Sequence, residues 1–254
     1  MTTGAIPGSN SVTKATDAMS PTNVAPHRWQ TATVVSVRRE TARAKTFRLR
    51  LGEPSVHLAG QHYVIRLTAP DGYTAARSYS IASAPDGSHE VEFTIERLDG
   101  GEVSMFLHDD VVPGDELEVR GPIGGWFVWR GDIPALLIGG GSGVVPLMAM
   151  LRLARRTERS QLLRLVVSVR SRETLYYADE LAGPETSIIY TRRAPSTVNR
   201  PPGRLSAVDV ADLLSADQTV FVCGSTGFAD AATDVLTESG VAADRIRVER
   251  FGPS

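Results

Sequence analysis

Ala135-Leu136-Leu137-Ile138-Gly139-Gly140-Gly141-Ser142-Gly143-Val144-Val145-Pro146 is the stretch that decides how the chain is read. Four apolar residues make a short strand of the fully buried type, and the glycines turn it straight into the next segment. From 145 to 155 apolar residues recur at helical spacing. Strand, glycine turn and helix together open an α/β unit. A glycine turn there lets the backbone approach a pyrophosphate, and the helix N-terminus stabilises its negative charge. The string departs from the common dinucleotide spacing, so a plain strand-to-helix turn explains the same residues.

Downstream the alternation continues. Residues 163–169, 187–190, 219–223 and 246–251 read as strands, and 174–181, 208–214 and 228–239 as helices. Strands alternating with helices predict a doubly wound parallel sheet. Upstream the pattern is different. Residues 32–37, 45–51, 62–67, 91–95 and 116–119 mix β-branched residues with period-2 alternation, and turns at Asp71-Gly72 and Pro85-Asp86-Gly87 separate some of them. Many short strands with one short helix at 103–108 predict an antiparallel barrel. The expected layout is therefore a flexible N-terminal tail (1–28), an antiparallel β-barrel domain (29–130) and an α/β doubly wound parallel-sheet domain (131–254).

Composition narrows the function. The 254 residues are 42% hydrophobic and 22% charged, with a formal net charge of −2, so a sizeable core is available and no basic excess points to nucleic acid or an anionic membrane. The single cysteine, Cys223, cannot form an internal disulfide or hold a four-cysteine iron–sulfur cluster, and it suits a reducing compartment. The five histidines form no ligand-spaced cluster, so no metal is expected. No leader-like or membrane-length apolar run is present, and the cytoplasm is the expected location.

Two further motifs carry chemistry. Arg77-Ser78-Tyr79-Ser80 sets a guanidinium and two hydroxyls beside an aromatic ring, a set able to hold a diphosphate and cover a planar cofactor. An ordinary strand with an exposed Arg and a half-buried Tyr explains it equally. Cys223 closes the buried-type strand Phe221-Val222-Cys223 before Gly224, at the strand end where ligands bind in such sheets. An inert core thiol is the plain alternative.

The order of the pieces adds what no single motif gives. Arg77-Ser78-Tyr79-Ser80, Gly101-Glu102-Val103-Ser104, Gly121-Pro122-Ile123-Gly124, the 139–146 loop, Cys223-Gly224 and Glu249-Arg250-Phe251 together resemble the ferredoxin–NADP reductase superfamily, from about Trp29 to Gly252. The resemblance implies an FAD-dependent NAD(P)H oxidoreductase. Arg77 would pair with the flavin diphosphate, Ser78 would join that contact, Tyr79 would pack on the flavin, and Ser80 would hydrogen-bond near the atom that accepts hydride. Thr94 and Ile95 would lie along the cofactor. Gly101, Val103 and Ser104 would give backbone N–H groups and a hydroxyl to the diphosphate. Gly140, Gly141, Ser142, Gly143 and Pro146 would receive the nicotinamide dinucleotide. Cys223 and Gly224 would flank its reactive ring, Glu249 would reach the flavin–nicotinamide contact, and Phe251 would cover the flavin, although a surface Glu and a core Phe remain open. Ser80, Cys223 and Glu249 form the expected catalytic set.

Arg170 and Arg172 follow the second strand of the α/β half and lean the cofactor choice towards NADPH, while Glu173 could support NADH. With one cysteine and a chain ending at Ser254, electrons are expected to leave to a separate acceptor: a ferredoxin, an oxygenase component or a small molecule. Free flavin or ferric chelates are alternative acceptors, and a non-catalytic flavin- or nucleotide-binding subunit is the alternative of another class. Phe251 in place of a terminal Tyr resembles the bacterial oxygenase-reductase branch.

Overall fold

A computed structural model of the chain describes Met1 and residues 28–252. Most of the expected tail, with His27, lies outside the described residues. Six strands build the first half: β1 (Gln30–Arg39), β2 (Ala44–Leu51), β3 (His62–Thr68), β4 (Thr74–Ser80), β5 (Glu90–Glu96) and β6 (Glu116–Ile123), with helix α1 (Glu102–Asp109) between the last two. They pair antiparallel in the order β4-β3-β6-β1-β2-β5, and a bridge between Ile81 and Phe93 joins the two ends into a barrel. Alternate residues point inward, so Phe47, Leu49, Tyr63, Ile65, Phe93 and Val119 fill the interior, with Val103 and Leu107 of α1 packed into it.

The second half is a parallel sheet of β7 (Ala135–Gly140), β8 (Leu163–Val169), β9 (Thr186–Tyr190), β10 (Thr219–Ser225) and β11 (Ile246–Phe251), in the order β11-β10-β7-β8-β9. Helices α2 (Val144–Arg156), α3 (Ala207–Val210) and α4 (Thr226–Glu238) connect them. Both faces are buried, as a parallel sheet requires. Leu137, Leu165, Val167, Phe221 and Cys223 face α2 and the barrel, whereas Leu136, Ile138, Val166, Val220 and Val222 face α4. The strand order reverses between β7 and β10, the switch point at which ligands enter such sheets.

The two halves share one core. Ala44, Ala59, Ala82, Phe127 and Trp129 from the barrel join the cluster under α2. Arg152 crosses the seam: its guanidinium donates to Ala82 O (3.0 Å) and Glu92 (2.9 Å) on the barrel and to both oxygens of Glu180 (2.8 and 2.5 Å) on the α/β side. Burial works against that charge, but the two carboxylates outweigh it and raise the pKa of Arg152. Tyr177 adds a second link, its hydroxyl donating to Thr94 Oγ1 (2.5 Å).

Three expected elements differ. Residues 174–181 form no α-helix but a short 3-10 turn (Arg172–Thr174) and further turns. Leu175, Tyr176 and Tyr177 are buried consecutively, which one helix face cannot achieve, and Tyr177 takes a left-handed backbone (φ 55°) that breaks any helix. The helix at 208–214 shrinks to α3 plus a 3-10 turn, capped by Ser206 and Asp209, with Arg200 holding Asp209. The helix expected from 228 starts two residues earlier, at Thr226, with Ser225 as its N-cap.

One very close backbone approach is at the glycine turn. A Cβ on Gly143 would lie 2.1 Å from the carbonyl oxygen of Cys223. Gly143→Ala is therefore expected to destabilise the chain by roughly 1–3 kcal/mol through overpacking. Denaturant unfolding checks this, and a change below about 0.5 kcal/mol would show the contact to be soft.

Candidate functional site

The barrel presents its part of the site at the end of β4. Ser80 is the last residue of that strand, opposite His62, and its buried Oγ has no hydrogen-bond partner. Tyr79 is half-buried against the barrel core, and burial pushes its phenol pKa upward, so it stays neutral. Ser78 and Arg77 are exposed. Arg77 donates to Ala76 O (2.8 Å) and has no carboxylate partner among the described residues. A guanidinium with no carboxylate partner and an orphaned buried hydroxyl on one strand fit a cofactor with a diphosphate and a polar ring edge.

Among the neighbouring barrel residues the side chains are already engaged, which does not bear on the expected backbone N–H contacts of Gly101 and Val103. Ser104 donates its hydroxyl to Gly101 O (3.1 Å) and accepts from Leu98 N–H (3.2 Å), so it caps its own turn and is not free for a diphosphate. The side chains of Val103 and Ile95 are in the barrel core. Thr94 is shared between Thr46 (2.6 Å) and Tyr177. At these four positions only the main chain is left to meet a cofactor. Gly101 is the N-cap of α1 in extended conformation, but Glu102 in the first turn puts a carboxylate there, taken up by Tyr73 OH (3.1 Å).

The α/β half supplies the carboxyl ends of β7 and β10. Gly141 has a left-handed backbone (φ 55°) with open space where a Cβ would be. Gly140 and Gly224 are needed for packing: a Cβ on either would strike the Phe228 ring at 2.5 or 2.6 Å. Phe228 thus seats α4 against both strand ends, a role the sequence did not single out. Ser142 is half-exposed, and Pro146 lies in the first turn of α2, where its missing N–H costs nothing. The N-termini of α2 and α4 therefore both start at the switch point.

Cys223 sits in interior strand β10, aligned with Gly139 on β7 and Glu249 on β11. It is fully buried, and its pKa is raised well above normal, first by burial and then by the Glu249 charge. It is a protonated thiol, not a nucleophile. Glu249 Oε2 is buried without a partner, and burial pushes the carboxyl up to about 7. Phe251 ends β11 level with Ser225 and packs on the shared core. β5 packs against the Gly141–Gly143 turn, which brings the barrel wall to the sheet ends. Arg170 and Arg172 are exposed beyond β8 with no carboxylate partner among the described residues. Glu173 is instead paired with Arg193 (2.8 Å) and held well below its normal pKa, by the Ser171 hydroxyl and then Arg193.

A barrel joined to a doubly wound sheet, with Ser80 at the end of β4 and Cys223 aligned with Glu249 on β10 and β11, defines a two-domain oxidoreductase core. The Oxidoreductase FAD-binding domain model matches residues 31–128 and the Oxidoreductase NAD-binding domain model residues 137–234, and the chain belongs to the ferredoxin–NADP reductase superfamily. It is 28% identical over 229 residues to the ferredoxin–NAD(P)(+) reductase component of the Pseudomonas putida naphthalene 1,2-dioxygenase system, covering 87% of this chain and 68% of that protein. It is 30% identical to the glycine betaine monooxygenase reductase subunit of Pseudomonas aeruginosa, covering 87% and 63%. The FAD/NAD-binding domain of Vibrio cholerae nitric oxide dioxygenase superposes with a TM-score of 0.78 at 26% identity, covering 88% of this chain and 99% of that one. Against other oxygenase-system relatives the chain spans between about half and about seven tenths of their length.

The Glu249 shift has a sign. A carboxyl whose folded pKa is raised stabilises the fold while protonated, fully below its unfolded value near 4.5, and this is lost as pH rises through about 7. Glu249→Gln is expected to remove that loss, which is bounded at about 3 kcal/mol. Denaturant midpoints across this range test it: equal slopes for wild type and variant would show that Glu249 titrates normally.

Proposed function

We propose that the chain takes electrons from NAD(P)H through FAD and passes them to a separate acceptor. The observation that carries this reading is that, of the five buried side-chain atoms without a partner among the described residues (in Gln30, Ser80, Arg120, Gln218 and Glu249), two fall on the expected catalytic set, Ser80 Oγ on the barrel and Glu249 Oε2 on the sheet. They belong to the halves matched to FAD-binding and NAD-binding domains. Arg77 would hold the diphosphate of FAD, Tyr79 would pack on its ring, and Ser80 would bond to the ring edge. FAD bound there would supply the chemistry of accepting an electron pair and releasing electrons onward.

The chain's own residues do the rest. Cys223 and the Gly143–Cys223 contact shape the floor for the nicotinamide, and Phe251 helps keep water out. Glu249 carries its proton at Oε2 below about pH 7, so it can meet a neutral ring without a buried charge. Arg170 and Arg172 favour the 2′-phosphate of NADPH, because the nearby acid, Glu173, is already taken by Arg193.

The relatives are reductase components of oxygenase systems, which makes an oxygenase component or a ferredoxin the leading acceptor. None of the described helices is long and apolar enough to cross a membrane, in keeping with a cytoplasmic location.

Purified protein should bind FAD, turn yellow and bleach anaerobically with NADPH or NADH. Protein that takes up no FAD, or FAD-loaded protein that neither nucleotide bleaches, would overturn the reading. Arg77→Ala should raise the FAD Kd by roughly 10–100-fold, the cost of one charge-assisted hydrogen-bond set. Fluorescence titration measures it. An Arg170→Ala, Arg172→Ala double variant should raise KM for NADPH roughly tenfold or more with little change for NADH. Equal effects on both nucleotides would count against the NADPH preference.

A further inference from the structure

The seam between the halves contains a charged clamp that the reaction scheme above does not use. Arg152 lies on α2, the helix that begins at the Gly141–Gly143 turn. Its Nη1 grips the carbonyl of Ala82, two residues beyond Ser80, and the Ala82 N–H donates to Glu92 O (2.7 Å). The same Nη1 donates to the Glu92 carboxylate, and Nε and Nη2 are held by Glu180. The Tyr177 ring lies 5.2 Å beneath the guanidinium. Ala82 is fully buried, so no water competes for that carbonyl. The planar fork is fixed on every side, which one lysine ammonium could not reproduce.

One rigid helix therefore connects two parts of the site. At its start, Gly143 abuts the Cys223 carbonyl; about two turns on, Arg152 holds the peptide next to Ser80. We propose that Arg152 is a positioning residue that sets the separation of Ser80 from the Cys223–Glu249 wall and so aligns nicotinamide with flavin. This rests on the functional reading above. A misplacement of about 1 Å between reacting groups costs on the order of 100-fold in rate.

The test uses FAD-loaded full-length protein with Arg152→Met and Arg152→Lys. Both should keep the FAD Kd within about threefold and bleach normally with dithionite, which needs no nicotinamide site. Bleaching at saturating NADPH or NADH should slow by roughly 10–100-fold, with loss of the long-wavelength absorbance of stacked nicotinamide and flavin. An unchanged rate and band would overturn the proposal, as would a rate falling only in step with lost flavin. If both variants fail to fold, Glu92→Gln, which leaves the Glu180 pair intact, should slow bleaching roughly threefold or more, and no change would overturn the clamp. Failure of the functional reading looks different: the wild type would not bleach with either nucleotide. Hydrogen exchange then decides the clamp, which is overturned if the Ile81, Ala82 and Ser83 amides exchange no faster in Arg152→Met.

Discussion

Burying a guanidinium between two domains is costly unless every face of it is matched. Arg152 meets that demand with two carboxylates, one backbone carbonyl and an aromatic ring drawn from both halves. Apolar contact around it comes from small residues on the barrel side, Ala44, Ala59 and Ala82, which let the sheet's Leu137 face and α2 approach closely. An apolar seam alone would tolerate sliding. A seam with a directional ion cluster spanning it tolerates far fewer arrangements. The placement of the barrel against the carboxyl ends of β7 and β10 is therefore a property of the fold.

Against that background the partnerless atoms stand out. Buried polar groups in this chain are generally well satisfied: Ser55 with His57, His57 with Ser83 O, Thr46 with Thr94, His108 with Ile95 O. Five buried side-chain atoms among the described residues lack a partner, in Gln30, Ser80, Arg120, Gln218 and Glu249, and Ser80 and Glu249 are the two that belong to the site. Strain of this kind concentrates where a ligand completes the bonding. The same contrast removes Ser104 from the expected contacts, because its hydroxyl is already doubly used.

Local patterns in the sequence carried the two architectures and much of the site. The run from Ala135 to Pro146 shows a buried strand, a glycine turn and a helix in twelve residues, and the structure places all three there. What stayed hidden depends on partners far away in the chain. Tyr177 binds Thr94 across 83 positions, and that contact, with its left-handed backbone, replaces the helix that the 174–181 pattern suggests. Arg152 is spaced like the exposed arginines that follow it, and only Glu92, 60 positions upstream, distinguishes it. Ser104 looked available because the neighbour it caps, Leu98, gives no sign of it in a single sequence.

Charge is also sorted by depth. Burial raises both groups of the inner wall, and the Glu249 charge raises Cys223 further, so near neutral pH Cys223 is a thiol and Glu249 is substantially protonated. The cations without carboxylate partners, Arg77, Arg170 and Arg172, lie at the exposed rim. A ligand with phosphates at its periphery and flat, weakly polar rings at its reacting end matches that arrangement. A small charged substrate does not, because its charge would have to sit against an unsolvated carboxyl and a thiol. The distribution therefore favours a dinucleotide over a small anionic metabolite as the occupant of the α/β half. A carboxyl that stays neutral beside the ring leaves no unpaired charge at the inner wall, and losing its proton would create one.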